Sequence, residues 1–103
     1  MNYKIPEGAA QDIDQELYHA FVLDVNEKLQ QYMTFFNENK FDYLDRLGHG
    51  IKSYSRTYGH VELETIGREI ESSATKKETE KLKQLYETFC NYIKEHNLIG
   101  QKE

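Results

Sequence analysis

Apolar side chains recur at steps of three and four residues through most of this chain, the spacing that lines one face of an α-helix. This pattern predicts a first helix from about residue 15 to residue 37, with Asp12 or Asp14 as its N-cap. Its apolar stripe consists of Leu17, Phe21, Val22, Val25, Leu29, Tyr32, Met33 and Phe36. Residues 37–39 interrupt the stripe, and the period-two alternation of β-strands is absent.

Three more helices are predicted to follow. Asn39 is the expected N-cap of the second helix, and Gly59 is expected to end it. The stretch from Thr75 to Glu78 has the form of a capping box that opens the fourth. The inward positions of the third and fourth helices are Val61, Leu63, Ile66, Gly67, Ile70, Leu82, Leu85, Tyr86, Phe89, Tyr92 and Ile93.

Four helices with short connections predict an all-α fold, an antiparallel up-down-up-down four-helix bundle. The bundle is expected to span residues 12–103, and residues 1–11, which include Pro6 and Gly8, form an irregular N-terminal lead-in. A chain of 103 residues is one domain that is large enough for a single hydrophobic core.

His49 lies between Gly48 and Gly50 inside the second predicted helix. Each glycine weakens a helix by about 1 kcal/mol relative to alanine, so the pair predicts that something approaches the backbone closely there. On a helical wheel the apolar residues of this segment cluster opposite His49. The residues on the side of His49 are Asp42, Asp45, Lys52, Ser53 and Arg56. The imidazole is therefore predicted to face water or a partner.

Charge and composition restrict the function. The net charge of −5 argues against nucleic acid as a partner. Residues 46–61 contain no acidic side chain, which predicts a positive window around His49. Arg46, Lys52 and Arg56 are its basic residues, and His49 and His60 can become positive. Cys90 is the only cysteine, so an intramolecular disulfide and a cysteine-cluster zinc site are excluded. The chain has neither an apolar run of about 20 residues nor a signal peptide, which predicts a cytoplasmic protein without a membrane partner.

The run from His49 to Ser53, followed by Gly59, resembles the signature of histidine-containing phosphotransfer (HPt) domains. That signature has a histidine, a hydrophobic residue two positions on, here Ile51, and a lysine three positions on, here Lys52. A small residue and a glycine follow four and ten positions after the histidine. The resemblance covers nearly the whole chain and implies a four-helix bundle that carries a phosphoryl group on His49.

A further match is Glu71, at the position where related domains hold a Glu or Gln hydrogen-bonded to the phosphorylated imidazole. His49 lies ten residues before Gly59 and Glu71 lies twelve after it, so an antiparallel hairpin brings the two to about the same height. Without the resemblance, a solvated glutamate on an acidic face is the default interpretation of Glu71. The resemblance implies that Glu71 orients the imidazole and that Lys52 pairs with the phosphoryl oxygens.

The same comparison implies that the surface around the histidine binds partners. Its predicted members are Gly48, Gly50, Ser53 and Arg56, and Arg56 is also a candidate for pairing with phosphoryl oxygens. The family favours glycine at the position of Ser53 and small residues just after it, whereas this chain has Tyr54, which its wheel position predicts to pack inward.

The predicted function is that of a histidine phosphocarrier between a histidine kinase or receiver domain and an acceptor aspartate in a two-component phosphorelay. Such a carrier is not a free-standing enzyme and binds no cofactor of its own, because the response regulator receiver domain supplies Mg²⁺. Since the chain begins at methionine and holds one domain, a free-standing monomer is expected. The alternatives are an adaptor or inhibitor module of the same fold that takes no phosphate, and an unrelated helical bundle that binds metal or another protein. His19, His60 and His96 are expected to be structural or solvated.

Overall fold

A computed structural model describes residues 2–99 of this protein. These residues form four helices, α1 (Gln15–Asn37), α2 (Phe41–Tyr54), α3 (Val61–Thr75) and α4 (Thr79–Glu95), and contain no strand. The predicted all-α fold is confirmed. Residue 1 of the expected lead-in lies outside the described residues, and so do residues 100–103 of the expected bundle domain. Within residues 2–99, no helix has the length and apolar character needed to cross a membrane.

The helices alternate in direction. The Tyr32 hydroxyl, near the end of α1, donates a hydrogen bond to the Leu82 carbonyl near the start of α4 at 2.7 Å. His60, just before α3, contacts Tyr18 near the start of α1 and Tyr92 near the end of α4. Each helix packs on the next one along the chain, and α4 returns against α1. The arrangement is the predicted up-down-up-down bundle.

The core draws apolar side chains from all four helices. Most of the predicted stripe positions are buried, but Leu17 and Val61 are exposed, Val61 by 51%. Both lie in the first turn of their helices, and the neighbouring Tyr18 of α1 and His60, just before α3, are buried instead. The inward assignment of Leu17 and Val61 was therefore wrong.

Two of the predicted helix caps do not form. Asp14 does cap α1, because its carboxylate accepts a hydrogen bond from the Leu17 N–H at 2.9 Å. Asn39, however, adopts a left-handed φ of 56° after α1, and Lys40 is the residue before α2. The predicted capping box is also absent, since Thr75 is the last residue of α3 and its hydroxyl donates to Asp45 of α2 at 3.2 Å.

Helix α2 ends at Tyr54, before the predicted stop at Gly59. Residues 55–59 form a turn that is closed by a hydrogen bond from the His60 N–H to the Ser55 carbonyl at 2.9 Å. Gly59 has a φ of +87°, and a Cβ there would lie 2.7 Å from the Pro6 ring. The irregular lead-in therefore packs closely against this turn. Only glycine accepts both the positive φ of residue 59 and the short distance to Pro6.

Candidate functional site

Helices α2 and α3 touch through their backbones at two glycines. A Cβ on Gly48 would lie 2.6 Å from the Glu71 backbone nitrogen and 2.7 Å from the Gly67 carbonyl oxygen. A Cβ on Gly67 would lie 2.6 Å from the Lys52 backbone nitrogen. The close approach predicted at Gly48 is therefore a contact with α3. Gly48 is buried in this contact, and its missing side chain lets α3 approach closely enough to bring Glu71 next to His49, whereas its assignment to a partner-binding surface stays a prediction.

His49, Lys52 and Glu71 form one hydrogen-bonded cluster across α2 and α3. The His49 Nδ1 atom lies 2.9 Å from Glu71 Oε2, and Lys52 Nζ donates to Glu71 Oε1 at 2.7 Å. The His49 side chain is 62% exposed, as the helical wheel predicted. Of the three residues proposed for phosphoryl chemistry, His49 and Lys52 therefore both contact Glu71, each through a different carboxylate oxygen.

The hydrogen bonds determine which tautomer His49 adopts. The ammonium of Lys52, and to a smaller extent His49, hold the pKa of the Glu71 carboxyl below its usual range. An ionised carboxylate only accepts hydrogen bonds, so Nδ1 of His49 must carry the proton that is shared with Glu71. In the neutral imidazole Nε2 then bears the free lone pair. In that neutral form, Nε2 is the nucleophilic end of this exposed side chain.

The remaining predicted site residues lie around this cluster. Ser53 is exposed one turn beyond His49, and its hydroxyl donates to the Gly50 carbonyl at 2.8 Å. Arg56 pairs with Glu64 of α3 through two hydrogen bonds of 3.1 and 2.9 Å, and it holds the pKa of the Glu64 carboxyl below its usual range. Tyr54 packs inward, with its ring 5.2 Å from that of Phe21, as predicted.

Two cations of the positive window expected from residues 46–61 are paired with carboxylates in the folded protein. Carboxylates of α3 pair with its cations, Glu71 with Lys52 and Glu64 with Arg56. His60 does not contribute, because it is buried with 4% exposure and burial, followed by the nearby His96, lowers its pKa to about 4. The gap in acidic residues along the chain therefore does not leave Lys52 and Arg56 unpaired, since α3 supplies a carboxylate to each.

His60 is a structural residue, which was one of the two possibilities expected for it, and it is buried just before α3. Its Nε2 lies 2.7 Å from the Tyr18 hydroxyl and its Nδ1 lies 2.8 Å from the Tyr92 hydroxyl. A neutral imidazole satisfies both contacts, because one ring nitrogen donates and the other accepts. The ring therefore links α1 and α4 at the end of the bundle where α3 begins.

Sequence reasoning missed Lys28 of α1. Its Cε atom lies 2.9 Å from the point where a Cβ on Gly50 would be. Gly50 directly follows His49 in the sequence. Lys28 also forms an ion pair with Asp24 one turn earlier, at 2.6 Å. The spacing of Asp24 and Lys28 was visible in the sequence, but that spacing is common on solvated helix faces and did not indicate which helix would lie against it.

Within residues 2–99, no three His, Cys, Asp or Glu side chains are arranged to hold a metal ion. Comparison of this chain with protein-family models, with curated proteins and with solved structures gave no match.

Proposed function

We propose that this protein is a histidine phosphocarrier, in which His49 takes a phosphoryl group from a histidine kinase or a phosphorylated receiver domain and passes it to an acceptor aspartate in a two-component phosphorelay. The observation that carries the proposal is the geometry of His49, an exposed imidazole whose Nδ1 is held by the ionised carboxylate of Glu71. The resemblance of residues 49–59 to the HPt signature supports the same chemistry.

In the reaction, the Nε2 lone pair of His49 attacks the phosphorus of an aspartyl phosphate. The N–P bond forms while the P–O bond to the aspartyl carboxyl group breaks, and the electron pair leaves with the donor carboxylate. Nδ1 keeps its proton, so the phosphorylated ring becomes a cation. The Glu71 carboxylate, 2.9 Å from Nδ1, stabilises this charge, and transfer to an acceptor aspartate is the reverse of the same step.

Lys52 supplies positive charge on the other side of the carboxylate. It lies three residues after His49, so both side chains occupy the same face of α2. An ammonium has three hydrogen-bond donors, and the bond to Glu71 uses one of them. The others are available to phosphoryl oxygens. Magnesium and the acceptor aspartate are contributed by the receiver domain in this proposal.

The direct test is intact-protein mass spectrometry after incubation with phosphoramidate, a small phosphodonor, or with a phosphorylated receiver domain and Mg²⁺. We expect the wild type to gain one acid-labile phosphoryl group. The His49→Gln variant should gain none and should keep its helical circular dichroism, because the side chain is exposed. His19→Gln is the matched control and should be phosphorylated like the wild type.

Two outcomes contradict the proposal in different ways. Phosphorylation that persists in His49→Gln moves the acceptor to another residue. A wild-type protein that stays unmodified with both donors is not a carrier, and a binding measurement with kinase and receiver domains then tests the adaptor function of the same fold.

A further inference from the structure

The two glycines beside His49 face different helices. At about 100° per residue, Gly48 and Gly50 lie on opposite flanks of the histidine around the axis of α2. Gly48 meets the backbone of α3, and Gly50 meets the side chain of Lys28 from α1. The imidazole therefore emerges between two elements, with Glu71 and Lys52 on one flank and Lys28 on the other.

The end of the Lys28 side chain lies against Gly50, Asp24 and Tyr54. Its Cε lies 2.9 Å, and its Nζ 3.5 Å, from the position that a Gly50 Cβ would take. Nζ donates to Asp24 Oδ2 at 2.6 Å and lies 5.3 Å from the centre of the Tyr54 ring. The side chain is 20% exposed. Its stem thus fills the space that Gly50 leaves, and its ammonium remains at the surface next to the residue that follows His49.

A phosphoryl group on His49 brings negative charge to this face, which a second cation besides Lys52 can stabilise. The group carries a charge of about −1.5 to −2 at neutral pH, as phosphate monoesters do. The ammonium of Lys52 is already shared with the Glu71 carboxylate. Lys28 lies on the opposite flank, and its ion pair with Asp24 is partly exposed.

We propose that Lys28 is a second phosphoryl-binding cation, which rests on Asp24 while His49 is unmodified and turns to the phosphoryl oxygens once His49 is phosphorylated. This inference rests on the proposed phosphocarrier function. The flexible stem of lysine permits the movement without a backbone change, and Gly50 provides the space for it. Asp24 acts as a competitor of the phosphoryl group for the same ammonium.

The experiment compares Lys28→Met with Lys81→Met, a matched control that loses an exposed ion pair to Glu69 on the α3–α4 side. Phosphorus NMR of each phosphorylated protein follows the last ionisation of the phosphoryl group with pH. A nearby cation favours the dianion, so we expect this pKa to rise by roughly half a unit in Lys28→Met and to stay at the wild-type value in Lys81→Met. The rate of phosphorylation by phosphoramidate should fall on the order of threefold to tenfold in Lys28→Met alone.

Asp24→Asn should change the phosphoryl pKa and the phosphorylation rate in the direction opposite to Lys28→Met. Removing the competing carboxylate frees Lys28, so we expect the phosphoryl pKa to fall below the wild-type value and phosphorylation to be faster. Lys28→Arg keeps the charge and should restore most of the wild-type behaviour. Neither variant depends on whether methionine packs well against Gly50 and Tyr54, so the proposal stays testable if Lys28→Met is poorly folded.

The outcomes separate this inference from the proposed function. A wild-type protein that takes no phosphate contradicts the phosphocarrier itself. A phosphorylated wild type whose Lys28→Met and Asp24→Asn variants titrate and react like Lys81→Met overturns the role of Lys28 and leaves the phosphocarrier intact.

Discussion

His49 Nδ1 and Glu71 Oε2 lie 2.9 Å apart, although 22 positions separate the residues in the chain. The contact depends on the direct packing of Gly48 against the backbone of α3. It leaves Nε2 of His49 as the free nitrogen, because the ionised carboxylate accepts the Nδ1 proton. The chemistry proposed for His49 therefore depends on how closely two helices pack.

We expect Glu71→Ala to slow phosphorylation of His49 by roughly tenfold or more, because a hydrogen bond to a charged group contributes about 1.5 kcal/mol or more. Nitrogen-15 NMR should show the Nδ1–H tautomer in the wild type and a mixture of tautomers in the variant. Glu69→Ala, on the same helix, is the control and should change neither quantity. An unaltered tautomer in Glu71→Ala would contradict the orienting role of the carboxylate.

Lys52 and Arg56 should differ in their effect on phosphorylation. Lys52→Gln removes the ammonium that bonds Glu71 Oε1, so we expect slower phosphorylation and a higher pKa for the Glu71 carboxyl. Arg56→Gln should leave the rate within about twofold, because its guanidinium pairs with Glu64, and exposed pairs contribute little. Rate measurements with phosphoramidate, together with carboxyl titration by NMR, check both. Equal losses in the two variants would place Arg56 in the site as well.

Alanine at the two glycines beside His49 should have opposite effects on stability. At Gly48 the new Cβ would meet the α3 backbone at 2.6 Å, which cannot move aside easily, so we expect a loss of about 1–3 kcal/mol in the free energy of unfolding. At Gly50 it would meet only the flexible Lys28 stem, and the better helix propensity of alanine should make the change neutral or stabilising by up to about 1 kcal/mol. Urea denaturation measures both. Equal destabilisation by the two alanines would mean that the Lys28 side chain yields no more easily than the backbone of α3.

Burial of His60 should make the protein less stable in mild acid. The pKa of His60 is lowered from 6.5 to about 4, so between these pH values the unfolded chain binds a proton that the folded protein does not. The free energy of unfolding should therefore fall as the pH drops from 6.5 towards 4, by about 3 kcal/mol at most.

Urea denaturation at several pH values tests this dependence, with His60→Phe as the comparison. The variant should be less stable at pH 7, because the Tyr18 and Tyr92 hydroxyls lose their partner, but its stability should change less over this pH range. Carboxylates with a lowered pKa, such as Glu64 and Glu71, begin to lose their contribution as the pH falls through their ordinary value of 4.5, so the effect of His60 is measured between pH 6.5 and that value. A wild-type stability that is flat between pH 6.5 and 4 would show that His60 is protonated in the folded protein.

The helical pattern was sufficient for much of the fold. The bounds of α1, the exposure of His49 and the inward packing of Tyr54 follow from the spacing of apolar residues around one helix axis, which is a local property. Helix ends were harder to predict, because the end of α2 at Tyr54 depends on a turn that the distant Pro6 segment covers. Local sequence does not contain that contact.

The sequence by itself determined that this chain forms four amphipathic helices and that His49, Lys52 and a nearby carboxylate are the candidates for its chemistry. Only the tertiary structure decided that Gly48 is a helix contact and that Lys28 flanks the histidine. It also decided that His60 is buried and neutral. The physical reason is that periodicity along one helix shows which side is apolar, whereas the neighbour of each glycine, cation or imidazole depends on how closely separate helices approach one another.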